Sequence, residues 1–232
     1  MTPSSHPVPA IEAVILDLDG TLIDTGGEIA TALHRTFDEF GLRHLTQKGV
    51  ENLIGRGVRS LVQRALQQVE GDGVDVDLAT TRFEAHYAQT VGTHAELFPG
   101  VLEGLRALFE AGLRLSVVTN KPRFFTEQLL SRLALTDLLA GIVAGDDGFR
   151  RKPEGDMLRA ACQRMGTAPA ASLMLGDSDN DVLAARAAGC PVWCVPYGYN
   201  EGRAPETLAC DRLVRSVDEA ARLLIAAARA RA

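Results

Sequence analysis

Two aspartates two residues apart, Asp17 and Asp19, follow the short apolar run Ala13-Val14-Ile15-Leu16 and precede Gly20-Thr21. In an extended chain alternate side chains share a face, so both carboxylates leave the strand end on one side. Gly20 permits the turn that follows. Carboxylates can attack as nucleophiles or transfer protons. Three more polar clusters stand in the same place, just after an apolar run. One is Thr119-Asn120-Lys121-Pro122, where a hydroxyl and free main-chain N–H groups at a helix start offer an anion site. Another is Arg150-Arg151-Lys152-Pro153. The last is Gly176-Asp177-Ser178-Asp179-Asn180-Asp181, a run of the oxygen donors that hard cations such as Mg²⁺ accept. Crowded carboxylates repel unless a cation or proton shares them. Carboxylates from two strand ends, a hydroxyl and amides from a third and an ammonium from a fourth describe a phosphoryl site, where charge neutralisation and positioning do most of the work. The chain has no glycine-rich nucleotide-binding loop, which points to a side-chain nucleophile.

Such clusters need strand ends to hold them. Short apolar runs rich in β-branched residues, at 13–16, 113–118, 141–144, 172–175 and 191–195, suit strands covered on both faces. Helical patterns at 101–111, 124–133, 155–165 and 179–188 alternate with them. The alternation predicts an α/β fold, a doubly wound Rossmann-like parallel sheet. From 24 to 97 the pattern is helical only, over 28–40, 46–54, 58–69 and 76–91, with no strand expected. The expected organisation is therefore a catalytic core of 11–24 and 98–232, an inserted all-helical cap over 25–97 and a flexible tail over 1–10. Open α/β sheets bind ligands beyond the carboxyl ends of their strands, so an insertion leaving there covers the site.

The 232 residues are 46% hydrophobic and 23% charged, the balance of a globular protein. A net charge of −6 argues against a broad nucleic-acid surface. No apolar run approaches the roughly 20 residues of a membrane span. Cys162, Cys190, Cys194 and Cys210 form no C-x-x-C pair, which fits a reducing cytoplasm better than a disulfide scaffold or a zinc site. No feature of the sequence reports an oligomeric state.

With Asp17-Leu18-Asp19-Gly20-Thr21, Thr119-Asn120, Lys152-Pro153 and Gly176-Asp177 with Asp181 in this order and spacing, the chain resembles the haloacid dehalogenase superfamily in its Mg²⁺-dependent phosphatase branch. The resemblance covers nearly the whole chain and implies the following roles. Asp17 attacks phosphorus and forms an aspartyl-phosphate, and Asp19 protonates the leaving alcohol and then activates water. Thr119 and Asn120 hold phosphate oxygens, while Lys152 neutralises charge. Mg²⁺ is held by Asp17, Asp177 and the main-chain carbonyl of Asp19, with Asp181 completing or supporting the set. A nearby metal lowers the pKa of a carboxyl that must serve as an acid, so enclosure by the cap is needed to oppose it.

Within the superfamily the chain is most similar to the phosphoglycolate phosphatases, through Leu22-Ile23-Asp24, Gly55-Arg56-Gly57-Val58-Arg59, Val118 to Pro122 and Val195-Pro196-Tyr197-Gly198-Tyr199-Asn200. It departs from them at Glu154-Gly155-Asp156 and Thr25-Gly26-Gly27-Glu28. The implied substrate is a small phosphorylated metabolite, 2-phosphoglycolate foremost, with another sugar or amino-sugar phosphate, or a phosphomutase reaction, as alternatives. A non-catalytic binding protein ranks last, because every catalytic position keeps its residue. Arg56 and Arg59, flanking Gly57 at a helix start, are the expected contacts for a substrate carboxylate.

Overall fold

The computed structural model describes residues 10–231; apart from residue 10, the tail expected at the start lies outside the described residues. The chain runs β1 (Ala13–Leu16), β2 (Ile23–Asp24), α1 (Gly26–Glu39), α2 (Gln47–Glu51), α3 (Val58–Gln68), α4 (Val76–Thr90) and β3 (Glu96–Leu97). It continues through α5 (Val101–Glu110), β4 (Arg114–Val118), α6 (Arg123–Arg132), β5 (Gly141–Val143), α7 (Asp156–Met165), β6 (Ser172–Gly176), α8 (Asp179–Ala188), β7 (Val192–Cys194), β8 (Arg212–Leu213) and α9 (Val217–Arg229).

β1 is apolar at every position because both its faces are covered. Val14 and Leu16 join Leu115, Val117, Leu173 and Leu175 in a core shared with α5, α6 and α9, whereas Ala13 and Ile15 join Val118 and Met174 in a core shared with α7 and α8. Helices on both faces make the sheet doubly wound, as the alternation predicts. All its pairings are parallel, in the order β5-β4-β1-β6-β7-β8. β1 therefore lies between strands reached by connections running in opposite directions. That is the topological switch point, where a crevice opens beyond the carboxyl ends.

Between β2 and β3 the four helices pack on one another, α1 against α2 and α4, and α3 against α4. Ile29, Leu33, Phe37, Phe83 and Tyr87 are buried there. The expectation of no strand between 24 and 97 is corrected in one respect. Ile23 pairs with Leu97 and Asp24 with Glu96 in an antiparallel ribbon at the two ends of the helical segment. Two residues are too few for a period of two to register in a sequence. α9 is not among the helices expected from the sequence, although Ser216 caps it by accepting from Glu219 N, a serine-to-glutamate spacing typical of helix starts. Among the described residues no helix is long and apolar enough to cross a membrane. The four cysteines are free, three of them buried.

Candidate active site

The carboxyl end of β1 delivers Asp17 and Asp19 into different surroundings. Gly20 turns the chain with φ at +87°, a conformation that favours glycine, and its N–H returns to the carbonyl of Ile23. Asp17 is buried, with one carboxylate oxygen 2.7 Å from Lys152 Nζ. The same ammonium lies 2.7 Å from Asp181 Oδ1. Burial, then the charge of Asp181, push the Asp17 carboxyl up to about 7 against the pull of Lys152. Burial works against the Lys152 ammonium, yet Asp17 and Asp181 overcome it and hold its pKa above the usual lysine range.

Asp19 turns to the other side. Its carboxylate accepts from Lys121 Nζ at 2.8 and 2.9 Å and from Thr25 Oγ1 at 2.8 Å. Lys121 is itself buried and sits 4.9 Å from the centre of the Tyr87 ring. Two carboxylates adjacent on one strand end are thus held by two different lysines.

From the end of β6, Asp177 accepts from Thr21 Oγ1 at 2.7 Å and from Tyr199 N at 2.6 Å. Burial and the charges of Asp181 and Asp17 raise its carboxyl well above the ordinary value. Asp181 lies in the first turn of α8. Its Oδ2 accepts from the main chain of Asp177 and Ser178 at 3.2 and 3.1 Å and from Ser178 Oγ at 2.8 Å, which closes the helix start. Asp181 therefore fastens the β6–α8 turn to Lys152.

Asn120 does something the sequence did not announce. Its Oδ1 accepts from Lys152 N at 3.0 Å, and its Nδ2 donates to the carbonyls of Lys152 and Gly55, both at 2.8 Å. The side chain is committed to placing Lys152 and tying it to the helical segment, leaving the main chain of this loop for an anion. Thr119 is buried and lines the same pocket. Arg56 and Arg59 are not brought to it. Arg56 pairs with Glu201 at 2.6 Å and Arg59 with Asp77 at 2.8 Å, both side chains more than half exposed. The pocket instead has a polar wall of Asp17, Asp19, Thr119, Asn120 and Lys121, facing an apolar wall of Ile29, Ile54, Val58, Leu61, Phe83 and Tyr87.

Lys121, Thr21, Thr25, Tyr87 and Tyr199 are the site residues that sequence reasoning left without a role. Thr21 and Lys121 sit inside the motifs and could have been singled out. Tyr199 reaches the first strand's loop from 174 residues away, which no local spacing reports.

Carboxylate oxygens of Asp17, Asp177 and Asp181 lie within 4.8 Å of one another, all three buried. One ammonium cannot balance three buried carboxylates, and the donors are hard oxygens, so the set fits a divalent cation. The space around Asp177 is equally restricted. A Cβ at Gly198 would lie 2.3 Å from Asp177 Oδ2 and 2.4 Å from the carbonyl of Gly20.

Residues 14–195 match the family model for haloacid dehalogenase-like hydrolases. A phosphoglycolate phosphatase of Nitrosospira multiformis is 43% identical over 221 residues, covering 94% of this chain and 97% of that one. One from Thiobacillus denitrificans is 42% identical over 220 residues, covering 94% and 96%. The crystal structure of a predicted phosphoglycolate phosphatase from Haemophilus somnus superimposes with a TM-score of 0.87 at 26% identity, over 92% of this chain and 97% of that one.

Proposed function

The chain belongs to the haloacid dehalogenase-like hydrolases, and from that premise we propose that it is a Mg²⁺-dependent phosphomonoesterase whose substrate is 2-phosphoglycolate. Asp17 attacks phosphorus while the ester P–O bond breaks, leaving the phosphoryl group on its carboxylate. Asp19 gives its proton to the departing alkoxide oxygen. It then takes a proton from water as that water attacks phosphorus, which releases inorganic phosphate and restores Asp17. Thr119 and the main chain at Asn120 hold the phosphoryl oxygens, and Lys152 neutralises charge that Asp17 and the phosphoryl group share. Asp17, Asp177 and the main-chain carbonyl of Asp19 would hold Mg²⁺, which when bound would supply the remaining charge neutralisation and favour the ionised form of Asp17. Asp181 supports this set through Lys152. Residues 25–97 act as the cap that excludes water from the reaction. The cytoplasm is the expected setting, in keeping with four free cysteines.

The observation that carries this reading is the convergence of Asp17, Asp19, Thr119 and Lys121 on one pocket beyond β1 and β4, with the Lys152 ammonium 2.7 Å from Asp17. The named relatives support the substrate. The test is phosphate release from 2-phosphoglycolate beside a panel of sugar phosphates with Mg²⁺ present. A kcat/KM of about 10⁴ M⁻¹s⁻¹ or more, well above the panel, is expected. A slow profile, flat across the panel, would sink the substrate and leave the phosphatase chemistry in place.

A further inference from the structure

2-Phosphoglycolate carries a carboxylate on the carbon next to its ester oxygen. An enzyme that selects it needs a cation close to whichever group protonates that oxygen. The arginines that sequence reasoning offers for this are paired outside the pocket with Glu201 and Asp77. Among the described residues lining the pocket, Lys121 is the one cation, on the polar wall that faces the apolar one.

The two buried lysines of the site are not equally satisfied. Lys152 is shared between two carboxylates, Asp17 and Asp181, each at 2.7 Å. Lys121 has one, Asp19. An ammonium has three N–H donors, and the hydrogen bonds of Lys121 Nζ among the described residues all go to that single carboxylate. The ammonium also lies against the face of Tyr87, which attracts a cation but accepts no strong hydrogen bond, and feels the charge of Glu28 without bonding to it. Tyr87 is pinned there by its hydroxyl, which donates to Glu28 Oε1 at 2.8 Å, while Glu28 Oε2 accepts from Gly92 N at 2.7 Å. α1 and α4 thus hold a ring against the ammonium from the apolar side, while Asp19 holds it from the core side. The place for a second carboxylate is open toward the pocket.

Resting on the phosphoglycolate reading above, we infer that Lys121 is the specificity-determining residue, binding the substrate's carboxylate while it holds Asp19. The leaving oxygen at Asp19 and the carboxylate one carbon away come within reach of a single ammonium. A phosphomonoester with a neutral tail gains nothing from it. The selectivity is set by the core loop after β4, with the helical segment supplying only the apolar wall and the ring.

The test compares 2-phosphoglycolate with 2-hydroxyethyl phosphate, an ester of the same length with a neutral tail, in the wild type, Lys121→Gln and Lys121→Met. The ratio of the two kcat/KM values is expected to fall at least about tenfold in both variants, carried by KM for 2-phosphoglycolate. The inhibition constant of glycolate should rise in parallel. If Lys121 only positions Asp19, both esters lose the same factor in kcat and the ratio stays put, which would overturn the inference. Should both variants fail to fold, the wild type still decides: glycolate inhibiting no better than its neutral amide would overturn it as well. A wild type that hydrolyses both esters equally removes the substrate reading itself. A wild type whose preference for 2-phosphoglycolate survives in Lys121→Gln removes the inference alone.

Discussion

Asp17 and Asp19 stand two residues apart in the chain and have different partners. Asp17 shares Lys152 with Asp181, and Asp19 shares Lys121 with the Tyr87 ring. In the proposed mechanism these two carboxyls serve as nucleophile and as proton donor. Asp17→Asn removes the nucleophile, and its phosphatase activity should fall to background. Asp19→Asn keeps the nucleophile and loses the proton, so kcat should drop about 10²- to 10⁴-fold while phosphorylated enzyme accumulates. Acid-quench trapping of labelled phosphate on the protein measures this, and wild-type turnover in that variant would take Asp19 out of the mechanism.

At the scale of elements, the site depends on how strand ends are fastened to one another. Asn120, at the end of β4, reaches the main chain of Lys152 and of Gly55 and so joins two core loops to the loop before α3. Each lost buried hydrogen bond costs about 1–3 kcal/mol. Asn120→Ala should therefore lower the melting temperature and reduce kcat together, because Lys152 loses its anchor. A variant that loses activity with an unchanged melting curve would mean the side chain touches substrate instead. The β7–β8 connection fastens the other side of the site, where Tyr199 N donates to Asp177. Gly198 has no room for a Cβ against Asp177 and the carbonyl of Gly20. Gly198→Ala should displace the Asp177 carboxylate and weaken Mg²⁺ binding, by titration calorimetry, at least tenfold. Unchanged affinity would exclude Asp177 from the metal set. The main elements were legible because their periodicities are long. α8 runs over 179–188, the range that its apolar pattern and the following glycine mark. The ribbon of β2 and β3 was not, since two-residue strands leave no period to read.

For the molecule as a whole, the governing quantity is the unbalanced negative charge of the buried carboxylates Asp17, Asp177 and Asp181. Burial, then the charge of Asp181, push the Asp17 carboxyl from its ordinary 3.8 up to about 7, and Asp177 is raised as well. A carboxyl whose folded pKa is raised contributes stability that is complete below its unfolded value and is lost as pH climbs through the folded one. For Asp17 in the metal-free protein this loss falls between about pH 4 and 7. A divalent cation competes with those protons, so it should bind more tightly as pH rises and stabilise the fold more at about pH 8 than at about pH 5. Thermal melts with Mg²⁺ and with EDTA at both pH values measure this. An equal Mg²⁺ increment at the two would mean that the cluster is not where the cation binds.

The chemistry of this protein was readable from its sequence because it resides in short motifs, each tied to the end of a strand. Asp17-Leu18-Asp19, Thr119, Lys152 and Asp177 keep their order along the chain, and the parallel sheet must bring successive strand ends to one edge. Selectivity was not readable in the same way. Arg56 and Arg59 carry the right charge at a helix start, but Glu201 and Asp77, distant in sequence, hold them outside the pocket. Lys121 stood inside a motif with no role, and its place became evident only once Tyr87 and Glu28 from the helical segment packed over it. Which cation faces a ligand depends on which anions the fold leaves to pair with each of them, and those partners come from elements that only tertiary packing brings together.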